Sequence, residues 1–148
     1  MPDVIDISRL GSDDRAGWEI LARGYKTFYE TVESDAAFEG TWRRILDDDV
    51  VHGIGARIDG TLVGIAHYLF HDTLWTGETC YLQDLFVDEA TRGRGAARAL
   101  IVHIAEEARV RGASRLYWTT KQDNVRARAL YDDVAEFRGF IRYDRAVI

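Results

Sequence analysis

The order of apolar and polar residues along the chain predicts a sequence of elements. Residues 4–7 alternate as a short strand. Trp18, Leu21, Ala22, Tyr25, Phe28 and Tyr29 then recur at steps of three and four, which predicts a helix from about Asp14 toward Glu30 with Ser12 or Asp13 as its cap. Asp35 is expected to cap a second helix carrying Phe38, Trp42, Ile45 and Leu46. The period then falls to two. Ile54, Ala56 and Ile58 alternate with Gly55 and Arg57, Asp59-Gly60 marks a hairpin, and residues 62–70 form the return strand. Thr76-Gly77 is another turn, and residues 79–87 form a third long strand. Helical spacing returns with Ala99, Leu100, Val102 and His103 and stops at Gly112. Residues 115–120 read as a strand, 124–134 as a helix with Ala127, Leu130, Tyr131 and Val134 on one stripe, and 140–147 as a closing strand.

The order β-α-α-β-β-β-α-β-α-β is an antiparallel meander running into a βαβ crossover. It implies an α/β (α+β) domain, residues 1–148, with a mixed, mostly antiparallel sheet flanked by helices on both faces. With 148 residues, 47% of them hydrophobic, the chain is long enough to bury a sizeable core. A net charge of -6 leaves no basic footprint, so nucleic acid is not expected as a partner. No apolar run reaches the ~20 residues a membrane helix needs. The acidic N-terminus does not read as a secretory signal, and Cys80, the single cysteine, rules out an intrachain disulfide. A cytoplasmic location is expected. His52, His67, His71 and His103 are scattered without ligand spacing, and no metal site is expected.

The most informative stretch follows the third long strand: Arg92-Gly93-Arg94-Gly95-Ala96-Ala97. Glycines let backbone N–H groups approach a ligand, and a helix starting there places its positive end at the same point. Arg92 and Arg94 add charge-assisted donors, giving an anion site suited to a pyrophosphate. The alternative is a tight strand-to-helix turn and nothing more. A dinucleotide fingerprint fails, because Arg98 stands where its last small residue belongs. A P-loop fails because the chain has no Gly-Lys pair.

Arg92-x-x-Gly95-x-Ala97 resembles the pyrophosphate loop of the GCN5-related N-acetyltransferase (GNAT) superfamily. The run Cys-Tyr-Leu-Gln-Asp-Leu-Phe-Val at 80–87 is similar to the strand preceding that loop. Tyr117-Trp118 and Asn124-x-x-Ala127-x-x-Leu130-Tyr131 are similar to the next strand and helix. Gly24-Tyr25-x-x-Phe28-Tyr29-Glu30 resembles the histone/polyamine acetyltransferase-like subgroup, so the likeness spans nearly the whole chain.

The resemblance implies a GNAT-like acyl-CoA N-acyltransferase fold. It also implies acetyl-CoA as co-substrate and direct attack by a neutral primary amine, of a small molecule or a protein lysine. Gly93, Arg94, Gly95, Ala96 and Ala97, with Arg92, would hold the pyrophosphate, and Leu85, Phe86 and Val87 the pantetheine arm. The latter requires the strand to splay from residues 115–120. Asn124 would contact coenzyme A, cap its helix, or both. Tyr131 matches the tyrosine that protonates the departing thiolate. Tyr29, Glu30 and Gln83 would line the acceptor pocket, whereas Tyr25 reads as core. Similar polyamine acetyltransferases carry a glutamate where this chain has Gln83, which cannot take a proton at neutral pH. Asp84, directly or through water, and Glu30 remain as candidate bases, although strand alternation turns Asp84 away from the Gln83 face unless a bulge intervenes. The missing glutamate keeps open a second reading, a non-catalytic acyl-CoA-binding regulatory protein. A homodimer is expected, paired through the closing strand.

Overall fold

The computed structural model describes residues 2–148. Nine main elements follow in the predicted order: β1 (Ile5–Arg9), α1 (Arg15–Phe28), α2 (Asp35–Asp47), β2 (Val51–Ile58), β3 (Thr61–Thr73), β4 (Gly77–Val87), α3 (Ala96–Arg111), β5 (Leu116–Tyr117) and α4 (Val125–Val134). The strands form one sheet in the order β1-β2-β3-β4-β5. All neighbouring pairs are antiparallel except β4 and β5.

The predicted alternation on β2 has a steric basis. Ile54 and Ala56 face the side of the sheet covered by α3, in a core with Tyr68, Leu82, Leu100 and Ile104. Gly53 and Gly55 face the other side, where a Cβ would come within 2.7 Å of Ile45 or 2.4 Å of Leu62. That face is packed by Trp18 and Leu21 of α1 and by Phe38, Trp42 and Ile45 of α2. The hairpin between β2 and β3 places Asp59 and Gly60 at positive φ, 51° and 80°, the pattern of a type I′ turn.

Several expected boundaries move. A short 3-10 turn at Ser12–Asp14 precedes α1, so neither Ser12 nor Asp13 caps it. The Asp14 carboxylate instead accepts from the Gly11 N–H at 2.8 Å. Ser34, not Asp35, caps α2, its hydroxyl accepting from the Ala37 N–H at 3.1 Å. The strand expected at 115–120 shrinks to Leu116–Tyr117. The strand expected at 140–147 does not form: residues 136–148 are outside any helix or strand and exposed. The alternation there is real, but among the described residues no strand pairs with it.

Candidate active site

β4 carries a bulge that decides which side chains reach which face. His67 pairs with Asp84 and Tyr68 with Leu82, leaving Gln83 as the extra residue. Before the bulge, Cys80 and Leu82 face α3. Beyond it the parity inverts, so Leu85 and Val87 join the α3 core while Phe86 packs toward α1. Asp84 is thereby turned to the α1 side and meets His67, whose Nδ1 lies 2.8 Å from Asp84 Oδ2. Burial alone would raise the Asp84 carboxyl, but the hydrogen bond from His67, the neighbouring Tyr25 hydroxyl and the nearby Lys26 charge hold it below the ordinary carboxylate range.

Just before the bulge, β4 parts from β5. Their ladder ends at Cys80↔Leu116 and Tyr81↔Tyr117. Residues 85–87 stay paired to β3 on one edge, and on the other they open onto a cleft of about 450 Å³. Leu85, Phe86 and Val87 form one wall. Arg92, Gly93, Gly95, Ala96 and Ala97 form the floor, and Asn124, Ala127, Leu130 and Tyr131 form the opposite wall. Gly93 and Gly95 sit at φ 82° and 94°, a region that disfavours any residue with a Cβ, and α3 begins at Ala96. The positive end of a full-length helix thus opens onto the cleft beside the Arg92 guanidinium. These groups fit a pyrophosphate.

Two loop and helix residues depart from expectation. The Arg94 side chain turns away to form a two-pronged ion pair with Asp3, at 2.7 and 2.6 Å, and contributes no guanidinium to the cleft. Asn124 stands at the α4 cap position without a side-chain cap bond; its Nδ2 donates to Thr120 Oγ1 at 3.1 Å. In place of Arg94 the cleft gains Arg98 and Arg126, which the motif reading missed. Arg98 is the residue that breaks the dinucleotide fingerprint. Its place in the first turn of α3, one turn beyond Gly95, was the available signal.

A small recess of about 20 Å³ lies where the strands part, lined by Tyr25, Tyr29, Leu82, Gln83, Leu85, Trp118, Thr119 and Tyr131. Tyr131 borders both spaces and packs edge-on against Trp118, with ring centroids 5.3 Å apart. Burial, then the neighbouring Tyr29, pushes its phenol up to about 12. It therefore stays protonated at neutral pH. Tyr25, expected in the core, is a wall of the recess and lies near Asp84. Glu30 is exposed just past α1 at φ 55° and is not among the residues lining the recess. Among the described residues no three His, Cys, Asp or Glu side chains gather where they could hold a metal ion.

The acetyltransferase (GNAT) family pattern matches residues 17–137. The chain is 33% identical over 147 residues to the D-amino-acid N-acetyltransferase HPA3 of Saccharomyces cerevisiae, covering 97% of this chain and 91% of that protein. It is 27% identical over 146 residues to the thialysine N-epsilon-acetyltransferase of Mus musculus, covering 95% and 85%. Among solved structures it is similar to a ribosomal-protein-alanine N-acetyltransferase from Brucella melitensis, with a TM-score of 0.80 at 25% identity, covering 97% and 99%. The fold is also that of AAC(6')-Iy in complex with a bisubstrate analogue, with a TM-score of 0.85 at 20% identity, covering 98% and 99%. The splayed strand, the glycine loop and these matches lead to one conclusion: the chain belongs to the GNAT acetyltransferase family and is an acetyl-CoA-dependent N-acetyltransferase.

Proposed function

We propose that the acceptor is a small primary amine of amino-acid size, received in the recess between Tyr25, Tyr29 and Gln83. The observation that carries this reading is the recess itself, which adjoins the larger cleft at Tyr131 and Leu85 and has room for an amine head rather than a folded surface. Support comes from the relatives, whose names specify a D-amino acid and thialysine. The amine attacks the thioester carbonyl as the neutral base, because an ammonium has no lone pair.

In this reading Arg92, Arg98 and Arg126, with the N–H groups of the Gly93–Gly95 turn, hold the pyrophosphate, and the open edge of Leu85, Phe86 and Val87 receives the pantetheine arm as an added strand. A backbone N–H on the same edge is placed to donate to the developing oxyanion. Tyr131 protonates the departing sulfur. Asp84 is the carboxylate that takes up the amine's proton, and Gln83 contacts the acceptor without accepting a proton.

The test is a panel of amines with coenzyme A release as the signal. Turnover of small amino-acid amines is expected. Turnover only of protein lysines would replace the acceptor, and acetyl-CoA binding without any release would favour a regulatory protein.

We further infer a homodimer that works in the cytoplasm. Phe140, Ile141, Tyr143 and Val147 are each at least 75% exposed on one segment, a concentration of apolar surface that a second copy would cover. No described helix is long and apolar enough to cross a membrane.

A further inference from the structure

An acceptor has a second end, and the transfer steps above assign nothing to it. A recess of about 20 Å³ takes the reacting amine and little more, so the rest of the acceptor leaves across its rim. None of the residues lining the recess is charged, and Asp84 is already assigned to the reacting amine's proton. A charged group at the far end of the acceptor must therefore find its partner outside the lining.

On the α1 side the rim is a pair of tyrosines, Tyr25 and Tyr29, with ring centroids 4.9 Å apart. A lysine lies against each ring. Lys26 Nζ is 5.8 Å from the Tyr25 centroid, and Lys121 Nζ is 5.9 Å from that of Tyr29, both within reach of a cation–π contact. The two charges differ in what answers them. Glu33 Oε1 lies 3.6 Å from Lys26 Nζ. Among the described residues no carboxylate oxygen lies within 4.0 Å of Lys121 Nζ.

The backbone that carries Lys121 is tied down. Its carbonyl accepts from the Asn124 N–H at 3.1 Å, Asn124 Nδ2 donates to Thr120 Oγ1 at 3.1 Å, and Arg128 donates to the Gln122 carbonyl at 2.8 Å. These bonds hold the turn from β5 into α4, starting beside Thr119, which lines the recess. The exposed Lys121 side chain is thus a long arm on a fixed base, offering three N–H donors next to Tyr29.

We propose that Lys121 recognises the carboxylate of an amino-acid acceptor and sets the preference for that class over diamines. The proposal rests on the reading of the recess as the acceptor site. With the amine in the recess, a carboxylate at the rim receives charge-assisted hydrogen bonds from the Lys121 ammonium. A diamine would bring a second ammonium to the same place, where like charges repel.

The experiment compares each amino acid with its carboxamide, which has nearly the same size and no negative charge. D-Alanine and its amide test an α-amine, Nα-acetyl-lysine and its amide test a side-chain amine, and putrescine supplies a second positive charge. Coenzyme A release gives kcat/KM for each acceptor and KM for acetyl-CoA in the parent, Lys121→Ala, Lys121→Arg and Lys121→Glu. The quantity read is the acid-to-amide ratio of kcat/KM in each variant relative to the parent, in which the different basicities of the two amines cancel.

In Lys121→Ala that ratio should fall about tenfold for the amine that reacts, through loss of the acid's turnover alone. Lys121→Arg keeps the charge and should hold the ratio. Lys121→Glu should lower it further and raise kcat/KM for putrescine. The acetyl-CoA KM and the melting temperature should stay at the parental values throughout, because the side chain is exposed. An unchanged ratio in Lys121→Ala, or equal losses for acid and amide, would overturn the assignment. So would a parent that prefers putrescine to the acids, or a rise in the acetyl-CoA KM alone, which would place Lys121 on the cofactor. A parent that releases coenzyme A with none of these acceptors would instead defeat the acceptor reading beneath the proposal.

Discussion

Tyr131 and Tyr25 lie on helical stripes of the same kind, and the sequence pattern alone does not tell them apart. What distinguishes them is the company of their hydroxyls. Tyr131 borders both the cleft and the recess, where a sulfur would depart. Tyr131→Phe keeps the packing on Trp118 and removes only the hydroxyl. General acid catalysis contributes ~10²–10⁴-fold, and coenzyme A thiol is a fair leaving group, so kcat should fall toward the lower end of that range with acetyl-CoA affinity intact. A hydroxyl that only closed a buried hydrogen bond would instead cost about 1–3 kcal/mol of stability at full turnover. The raised phenol pKa also fixes a pH dependence. An acid with its pKa pushed up to about 12 is lost only as pH rises through that value. The rate should therefore rise with pH as the amine deprotonates and show no alkaline fall until pH approaches 12; a fall near pH 9 in a pH-kcat profile would assign the acid elsewhere. Tyr131 was legible because a motif surrounds it. Tyr25 was not, because the β4 residues that share the recess with it, Gln83 and Leu85, are far off in sequence and are set by a bulge.

At the scale of elements, two devices build the site: the bulge at Gln83 and the glycine turn that opens α3. Gly95 stands at φ 94°, and a Cβ there would also come 3.5 Å from Ile5 Cδ1. Gly95→Val should therefore strain the turn and close off its N–H groups. Acetyl-CoA should raise the melting temperature of the parent by binding only the native state, by about 2.7 kcal/mol of stabilisation at a hundredfold excess over Kd. That increment should vanish in Gly95→Val, and an unchanged increment would place the pyrophosphate elsewhere. The bulge makes a different prediction. Deleting Gln83 removes only the extra residue: Leu82 stays opposite Tyr68 and Asp84 opposite His67, so Asp84 and Phe86 keep the α1 face and Leu85 and Val87 the α3 face. Circular dichroism should therefore report a cooperative thermal transition for the deletion variant as well as for Gln83→Ala, which keeps the bulge, and loss of that transition in the deletion would show that the fold needs the bulge itself. The meander, the crossover and the loop were legible because each has a local period or a local turn residue. The bulge was not, because Leu82, Gln83 and Asp84 read as uninterrupted strand and only the pairing with His67 and Tyr68 shows the extra residue.

The whole molecule ends in a segment that its own fold does not use. Residues 140–147 alternate as a strand should, yet a strand needs a neighbour, and β5 offers little. It pairs for two residues and then turns to line the recess with Trp118 and Thr119. The segment's side chains reach the rest of the chain through Arg142, which donates to Thr119 Oγ1 at 3.4 Å. Covering an exposed large apolar side chain stabilises by roughly 1.5–3 kcal/mol, so Phe140, Ile141, Tyr143 and Val147 together could contribute on the order of 10 kcal/mol. Association costs about 4–15 kcal/mol, so the segment alone leaves a narrow margin, and backbone pairing with a partner strand would widen it. The full chain should therefore sediment as a dimer at micromolar concentration, and its melting temperature should rise with protein concentration. A double substitution, Phe140→Glu with Ile141→Glu, should give a monomer that keeps the far-UV dichroism of the parent, because neither side chain reaches the core. A parent that sediments as a monomer, with a melting temperature independent of concentration, would leave the exposed segment to some partner other than a second copy.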